Sequence, residues 1–300
     1  MIRSSVQVRL SASQISLFQK KRPLSSSVRV CFFALYSLSW ISLNPRVHAR
    51  PKPTPIAQKQ WYVALDPGHG GKNYGAVDIR VEGRYEKHYT LIMAKEVAQH
   101  LKGAGVKVWI SRDRDKPVTL KERIRKASAA GVDLFVSIHI NDSHVVGPRG
   151  HGTFFLSRSV FEESRLRVRE FDQQTHGALF ESSVKARVRS AQAKEVLFDL
   201  IHQRAQHEAV HLAHIVNQAL SEVSPHGTRG VKQGNYGIIK GITTPAIVCE
   251  VGFMNHPKEG PYVTSREGMS ALSLGITRGI LRYLVLRRNA DLAIPALNPK

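Results

Sequence analysis

Two histidines and two glutamates have the chemical types needed to bind a metal ion and to move a proton. They are His69, Glu86, His139 and Glu250. Two imidazoles and a carboxylate, with a fourth position left to water, form a common catalytic zinc site. Zinc lowers the pKa of a bound water from roughly 15.7 to 7, and a second carboxylate within hydrogen-bond reach can take its proton. The first three residues therefore fit a Zn2+ site, and Glu250 fits the proton-transfer role.

The sequence around each residue places it at the end of a strand, inside a strand or at the start of a helix. His69 lies in the turn Asp66-Pro-Gly-His-Gly-Gly71, directly after an apolar strand, and Glu86 begins the next helix. His139 ends the apolar segment at 136–140, and Glu250 lies inside the apolar segment at 246–251. A carboxylate buried in a strand costs several kcal/mol unless a metal or a partner compensates it. Active sites of α/β proteins usually form where such strands end.

Each residue also has a simpler interpretation. The chain has 14 histidines, so a histidine such as His139 at a strand end can occur by chance. The turn at 66–71 could be only a tight turn or an anion cradle. Glu86 could simply be an acidic residue favoured in the first turn of a helix, and Glu82 is a nearby competitor. Glu250 is the hardest to explain structurally.

The order of apolar segments predicts an α/β protein, because strand-like and helix-like patterns alternate along the chain. Helices are predicted from Glu86 to Lys102, from a capping box at Thr119 to Gly131, over a long segment ending before Pro225, and from Thr264 onward. Predicted strands cover residues 62–65, 106–111, 134–140, 153–156, 237–239 and 246–251.

The beginning of the chain predicts export. A basic stretch ends at Arg29, an apolar run of 14 residues covers 30–43, and Val47-His48-Ala49 offers a small-residue cleavage site. This run is shorter than the roughly 20 residues of a spanning helix. We therefore expect a signal peptide over 1–49, no stable membrane span, and a location in the periplasm, at the cell surface or outside the cell. Cleavage would leave Cys249 as the one cysteine, so we expect no internal disulfide.

Composition and charge limit the rest of the organisation. We expect a Pro-rich linker at 50–60, one catalytic domain at 61–290 with a surface insertion at about 158–192, and a tail at 291–300.

The net charge is +21, and the first 49 residues contribute seven positive charges and no acid, which leaves +14. Such a surface attracts polyanions. No nucleic-acid-binding motif accompanies it, so we expect no nucleic-acid partner, and we expect a monomer.

Five segments together resemble the zinc-dependent N-acetylmuramoyl-L-alanine amidases with which bacteria separate daughter cells. They are Val63-Ala-Leu-Asp-Pro-Gly-His-Gly-Gly71, Tyr85-Glu-Lys87, Ser137-Ile-His-Ile-Asn141, Arg229-Gly-Val-Lys232 and Ile247-Val-Cys-Glu-Val-Gly-Phe-Met-Asn255. The resemblance implies a single α/β domain with a twisted, mostly parallel sheet of about six strands flanked by helices. It also implies Zn2+ held by His69, Glu86 and His139, with Glu250 as the catalytic carboxylate. The implied substrate is the amide between N-acetylmuramic acid and L-alanine in peptidoglycan.

The resemblance leaves regulation and activity to be tested. In several members of the family, an extra helix at the place of the 158–192 insertion covers the zinc until an activating protein partner withdraws it. Our hypothesis is that this stretch does the same, with Glu162, Glu163 or Glu170 meeting the metal, although any solvated helix has a similar mixture of charges. Two alternatives are an inactive homologue that binds the cell wall or regulates an amidase, and a zinc hydrolase that cuts another amide.

Overall fold

A computed structural model describes residues 59–143, 147–160, 163, 166 and 190–293. The predicted signal peptide and most of the linker and of the insertion lie outside these residues. Six strands form one mixed sheet in the order β2-β1-β3-β6-β4-β5. The strands are β1 (Tyr62–Pro67), β2 (Lys107–Ile110), β3 (Leu134–Asn141), β4 (His151–Leu156), β5 (Thr228–Gly234) and β6 (Ala246–Phe253).

Strand direction changes once across the sheet. Strands β2, β1, β3 and β6 are parallel to one another, whereas β4 is antiparallel to β6 and parallel to β5. The predicted fold class, an α/β domain with a mostly parallel sheet of about six strands, is confirmed. The helices are α1 (Glu86–Gly103), α2 (Leu120–Ala129), α3 (Ala191–Ser221), the short α4 (Gly260–Val263) and α5 (Arg266–Ala293), with one turn of 3-10 helix at Arg158–Val160.

The two faces of the sheet are covered differently. Because successive side chains in a strand point to opposite faces, Ile247, Cys249 and Val251 of β6 lie on one face with helices α1, α3 and α5. Ala246 and Val248 lie on the other face, with α2 and the segment at 236–242. Glu250 has the same parity as Ala246 and Val248, so its side chain lies on the face that α2 covers.

The ends of two helices follow the predicted signals. Helix α1 begins at Glu86 and runs to Gly103. Helix α2 is preceded by Thr119, whose side chain accepts a hydrogen bond from the Glu122 backbone amide while the Glu122 side chain reaches back to the Thr119 amide. This reciprocal pair satisfies two backbone donors that a helix start leaves unpaired.

One predicted strand is wrong and one strand was not predicted. Residues 237–239 form a turn, although Ile238 and Ile239 are buried as their apolar character indicates. The strand lies earlier, at Thr228–Gly234, where glycines and polar residues hide the pattern. This strand is at the sheet edge and only Val231 of its side chains packs against the larger core, so the alternation of buried and exposed residues that identifies most strands is weak there.

Helix α5 is the one helix in the described part of the chain with enough length and apolar character to cross a membrane. Its apolar side is buried in the larger core, with Leu272, Ile276 and Ile280 all inaccessible to solvent, and it packs against α1 and α3. These contacts are those of a core helix in a globular domain.

The packing of α5 on α3 depends on glycine. A methyl group placed on Gly279 would lie 2.6 Å from the Cα atom of Val216, and one placed on Gly275 would lie 2.8 Å from a methyl carbon of Val223. The two helices therefore approach closely because these positions have no side chain.

We predict that Gly279→Ala destabilises the protein even though alanine favours helix by about 1 kcal/mol. Overpacking against α3 costs about 1–3 kcal/mol, so the free energy of unfolding measured in urea should fall or at best stay level. Arg278→Ala, at an exposed neighbouring position, is the control and should change stability by less than about 0.5 kcal/mol. A clear gain in stability for Gly279→Ala would contradict the close approach.

Candidate metal centre

His69 occupies a turn whose backbone is strained. Its φ angle is +64°, a left-handed conformation that residues with a side chain adopt at a cost. The imidazole Nδ1 donates to Oδ1 of Asn73 at 2.8 Å. This hydrogen bond fixes the ring orientation and leaves Nε2 facing Glu86, at 3.0 Å from its Oε2. The turn therefore presents the Nε2 atom of His69 to the centre, beside the Glu86 carboxylate.

Two buried arginines donate hydrogen bonds to the backbone carbonyls of this turn. Arg123 on α2 forms an ion pair with Asp66 at 2.7 Å and donates to the carbonyl oxygens of Pro67 and His69. Arg112, fully buried, donates to the carbonyl oxygens of Pro67 and Gly68 at 3.1 and 2.7 Å. Burial lowers the pKa of Arg112 to about 10, and the charge of Arg123 acts in the same direction. The two side chains thus fix successive carbonyls of the turn.

A lysine connects the other end of the turn to helix α1. Lys87 donates to the carbonyl oxygen of Gly71 at 2.8 Å and forms an ion pair with Asp115 at 2.6 Å. Asp115 in turn accepts from the Gly71 amide at 2.7 Å. Lys87 follows Glu86 directly in the sequence, so the first turn of α1 holds the loop and offers a carboxylate to the centre.

Glu86 lies between the two histidines. Its Oε1 accepts from the Ile140 amide and lies 3.0 Å from His139 Nδ1, while its Oε2 accepts from the Ala76 amide. Burial alone would raise the pKa of Glu86, but hydrogen bonds from His139 and His69 outweigh it and lower the pKa. A carboxylate held in this way stays ionised.

The possible ligand atoms of His69, Glu86 and His139 all lie within 4.8 Å of one another. The two rings meet edge to face, with centroids 4.9 Å apart. Burial disfavours a charged His139, yet the hydrogen bond and charge of Glu86 raise its pKa to about 9. The donor set therefore favours a cation at its centre, and two imidazoles with a carboxylate suit zinc. These residues fit a metal ion.

Glycines make room for this arrangement. A methyl group placed on Gly68 would lie 2.3 Å from the His139 ring, and one placed on Gly75 would lie 2.5 Å from Oε2 of Glu86. The φ angle of Gly75 is +70°, which also favours glycine. A methyl group on Gly75 would also lie 2.7 Å from the His69 ring, so the glycine backbone lies close to all three candidate ligands.

Glu250 lies beside the centre as the register partner of His139 on the neighbouring strand. Its side chain is 5% exposed, and its Oε2 atom is buried without a hydrogen-bond partner among the described residues. Burial raises the pKa of Glu250 to about 7; the charge of Glu86 adds to this effect, and those of His139, His69 and Arg229 oppose it. A buried carboxylate with this pKa and with one oxygen lacking a partner is suited to proton transfer near neutral pH.

The structure brings all four of these predicted residues together. Glu82, the competitor of Glu86, is exposed and belongs to no metal-binding group among the described residues. Glu163 pairs with Lys240 at 3.3 Å, whereas Glu162 and Glu170 lie outside the described residues. The regulatory role of these three glutamates stays a prediction.

The sequence analysis missed one pattern that has a known chemical meaning. His207-Glu208-Ala-Val-His211 on α3 matches His-Glu-x-x-His, in which the histidines bind zinc and the glutamate acts as base in metalloproteases. Here both histidines are exposed, and Glu208 accepts hydrogen bonds from Tyr283 at 2.7 Å and Arg287 at 2.5 Å. The glutamate therefore joins α3 to α5 and is not available as a base.

Comparisons with known proteins agree with the geometry. A family model described as N-acetylmuramoyl-L-alanine amidase matches residues 63–282. The amidase AmiA of Salmonella typhimurium is 26% identical over 236 residues, which cover 79% of this chain and 80% of AmiA. The catalytic domain of the amidase CwlV from Bacillus (Paenibacillus) polymyxa is 26% identical with a TM-score of 0.55, covering 75% of this chain and 99% of that domain. The amidase AmiC2 of Nostoc punctiforme is 25% identical with a TM-score of 0.54, covering 75% and 97%.

We predict that Gly68→Ala weakens metal binding at this centre by on the order of 10-fold or more, as changes beside metal ligands commonly do. The added methyl group must displace the His139 ring. Titration with Zn2+ against a chromophoric chelator measures the affinity. Gly103→Ala is the control, since a methyl group there meets nothing within 4 Å. Unchanged affinity in the Gly68 variant would show that the ring position does not matter.

We also predict that Glu208→Gln lowers stability without affecting hydrolysis. The variant weakens charge-assisted hydrogen bonds to Tyr283 and Arg287, which typically contribute about 1.5–3 kcal/mol, so the urea midpoint should fall. Glu195→Gln, an exposed change on the same helix, should leave it unchanged. A loss of activity of 100-fold or more with unchanged stability would instead support the protease-like interpretation of this motif.

Proposed function

This chain belongs to the N-acetylmuramoyl-L-alanine amidase family, and we propose that it uses zinc to hydrolyse the amide between the lactyl group of N-acetylmuramic acid and L-alanine in peptidoglycan. The observation that carries the proposal is the pairing of His139 with Glu250 on adjacent strands. It puts a buried carboxylate, one oxygen of which has no hydrogen-bond partner among the described residues, next to a group of side chains that fits a metal ion.

His69, Glu86 and His139 are the residues that we propose hold the zinc ion. When bound, zinc supplies Lewis-acid chemistry that polarises a carbonyl oxygen and makes water a better nucleophile. The protein's own contribution is to fix the three ligands beforehand. Amides of Ala76 and Ile140 hold the two oxygens of Glu86, and Asn73 holds the ring of His69, so little rearrangement is needed on metal binding.

Glu250 is the proposed general base and acid. Its carboxylate would accept a proton from the attacking water and return it to the nitrogen of the leaving L-alanine, which restores the carboxylate for the next cycle. Burial keeps its pKa near 7, and at that value the group can both take and give a proton near neutral pH. The neighbouring Cys249 points to the opposite face and is fully buried, so it has no part in this chemistry.

We further propose that the protein is exported and works on the cell wall outside the cytoplasm, as the sequence of residues 1–49 and the substrate both require. The positive charge of the remaining chain, +14, would favour contact with anionic wall polymers, with a strength that falls as salt rises. Daughter-cell separation, with an activating protein partner acting through the 158–192 insertion, is the biological role that the family resemblance suggests.

The test of the proposed function is digestion of purified peptidoglycan by the mature protein, with mass spectrometry of the released fragments. We expect free stem peptides that begin with L-alanine. Chelation should abolish their release and added Zn2+ should restore it. A zinc-loaded protein that releases nothing, even after residues 158–192 are deleted, would favour the inactive wall-binding homologue, and release of other ends would favour a different amide substrate.

We predict that Glu250→Gln lowers the rate of release by about 100- to 10,000-fold, the usual contribution of a general acid-base group. Its zinc affinity should stay within a few-fold of the unaltered protein, because Glu250 is not one of the proposed ligands. Glu82→Gln, an exposed change near the same site, is the matched control and should keep full activity. Retention of more than a tenth of the activity by Glu250→Gln would assign the base to another group.

A further inference from the structure

Arg229 carries a positive charge that no acid in the described part of the chain neutralises through an ion pair. It lies on β5 and is half-buried, yet its guanidinium makes no hydrogen bond or ion pair with any residue that the structure describes. The guanidinium instead lies over two aromatic rings, 5.0 Å from the centroid of Phe253 and 6.0 Å from that of Phe154. Stacking on aromatic faces holds an arginine in place and leaves its donors along the edge free.

The position of Arg229 relates it to the proposed catalytic centre. Across the sheet from β3 to β5, His139 pairs with Glu250, and Glu250 pairs with Gly152 on β4. Gly152 has no side chain, and a methyl group placed on it would lie 3.6 Å from the Cβ atom of Arg229. Arg229 therefore reaches the same face as Glu250 across the space that Gly152 leaves open.

Two acids lie near Arg229, and neither forms an ion pair with it. Glu259 is fully buried and both of its oxygens accept from the Gly150 amide at 3.0 Å. Glu250 feels the charge of Arg229 but lies beyond ion-pair distance. Arginine presents five donors in a planar fork that matches a carboxylate. No acid among the described residues occupies this fork, so Arg229 can bind the carboxylate of a ligand.

We infer that Arg229 forms a carboxylate-binding subsite for the stem peptide, at the second residue after the amide that is cut. This inference rests on the proposed function. When the second stem residue is glutamate linked through its side-chain carboxyl group, its α-carboxylate stays free. That carboxylate lies about 7 Å from the scissile nitrogen, at roughly 3.5 Å per residue. Neighbouring strands are about 4.8 Å apart, so a side chain as long as arginine on β5 can reach from two strands away to a ligand of this length bound at Glu250.

The subsite makes a specific prediction about substrate charge. Two soluble substrates, N-acetylmuramoyl-L-Ala-γ-D-Glu-L-Lys and the same molecule with the glutamate α-carboxylate converted to an amide, differ only in that group. The unaltered protein should have a kcat/KM at least 10-fold higher on the free acid. Arg229→Gln should remove most of this preference, with a 10- to 100-fold loss on the acid and a change below about 3-fold on the amide, as expected for one charge-assisted contact.

Two further variants separate binding from general charge. Lys232→Gln removes one positive charge from an exposed position on the same strand and should keep the preference for the acid. Arg229→Lys keeps the charge without the planar fork, so it should show a preference for the acid that is weaker than that of the unaltered protein and stronger than that of Arg229→Gln. A purely structural or electrostatic role predicts another result: Arg229→Gln would lower kcat equally on both substrates and move the pH profile of the reaction. That result, or no preference in the unaltered protein, would overturn the subsite.

Binding of the same two ligands to the Glu250→Gln protein tests the subsite without hydrolysis. Calorimetry should show tighter binding of the acid than of the amide, and the added Arg229→Gln change should remove the difference. Equal binding of the two ligands would overturn the subsite even if the protein is an active amidase. Tighter binding of the acid by a protein that cuts neither substrate would support the subsite and refute the proposed function.

Discussion

The turn that carries His69 has a strained backbone, and it is held by a buried ion pair between Asp66 and Arg123 together with hydrogen bonds from two arginines to its carbonyl oxygens. Asp66 accepts from Arg123, Ser111 and Ser137, while the arginines donate to consecutive carbonyls of the turn. Burying an ion pair costs several kcal/mol, and only good geometry with many hydrogen bonds compensates it. Here Asp66 and Arg123 are fully engaged while Nη1 of Arg112 has no partner among the described residues, and these contacts hold the backbone of the turn in which His69 has its strained φ angle.

The rest of the centre follows from the alternation of side chains in a sheet. Three large helices cover one face, so the residues of opposite parity in β3, β6 and β4 share the other face, where α2 and the segment at 236–242 pack among the described residues. His139 and Glu250 become neighbours through strand register, and Gly152 leaves space at the next position. A single geometric rule thus gives the metal-binding group, the adjacent carboxylate and the free guanidinium of Arg229 a common surface.

The sequence predicted the parts of this arrangement that local patterns encode. Apolar strands, glycine-rich turns and capping boxes are local signals, and they predicted five of the six strands and drew attention to four residues that the structure brings together. The edge strand β5 was not predicted, because it is mostly polar and contains Gly230 with a φ angle of +76°. The supporting roles of Arg112 and Arg123 could not be predicted either, since each depends on contacts between residues more than 40 positions apart. The motif at His207 was readable in the sequence, but only the contacts of Glu208 with α5 show that its carboxylate has a structural role.

The order of strands in the sheet differs from their order in the chain. Strand β6 is the last in sequence, yet it lies between β3 and β4 in the interior of the sheet. The strand that supplies Glu250 is therefore the last to leave the ribosome and the one that joins the two halves of the sheet. A chain whose synthesis or translocation stops before β6 lacks both a continuous sheet and Glu250, so the pairing of His139 with Glu250 can form only after β6 has been made.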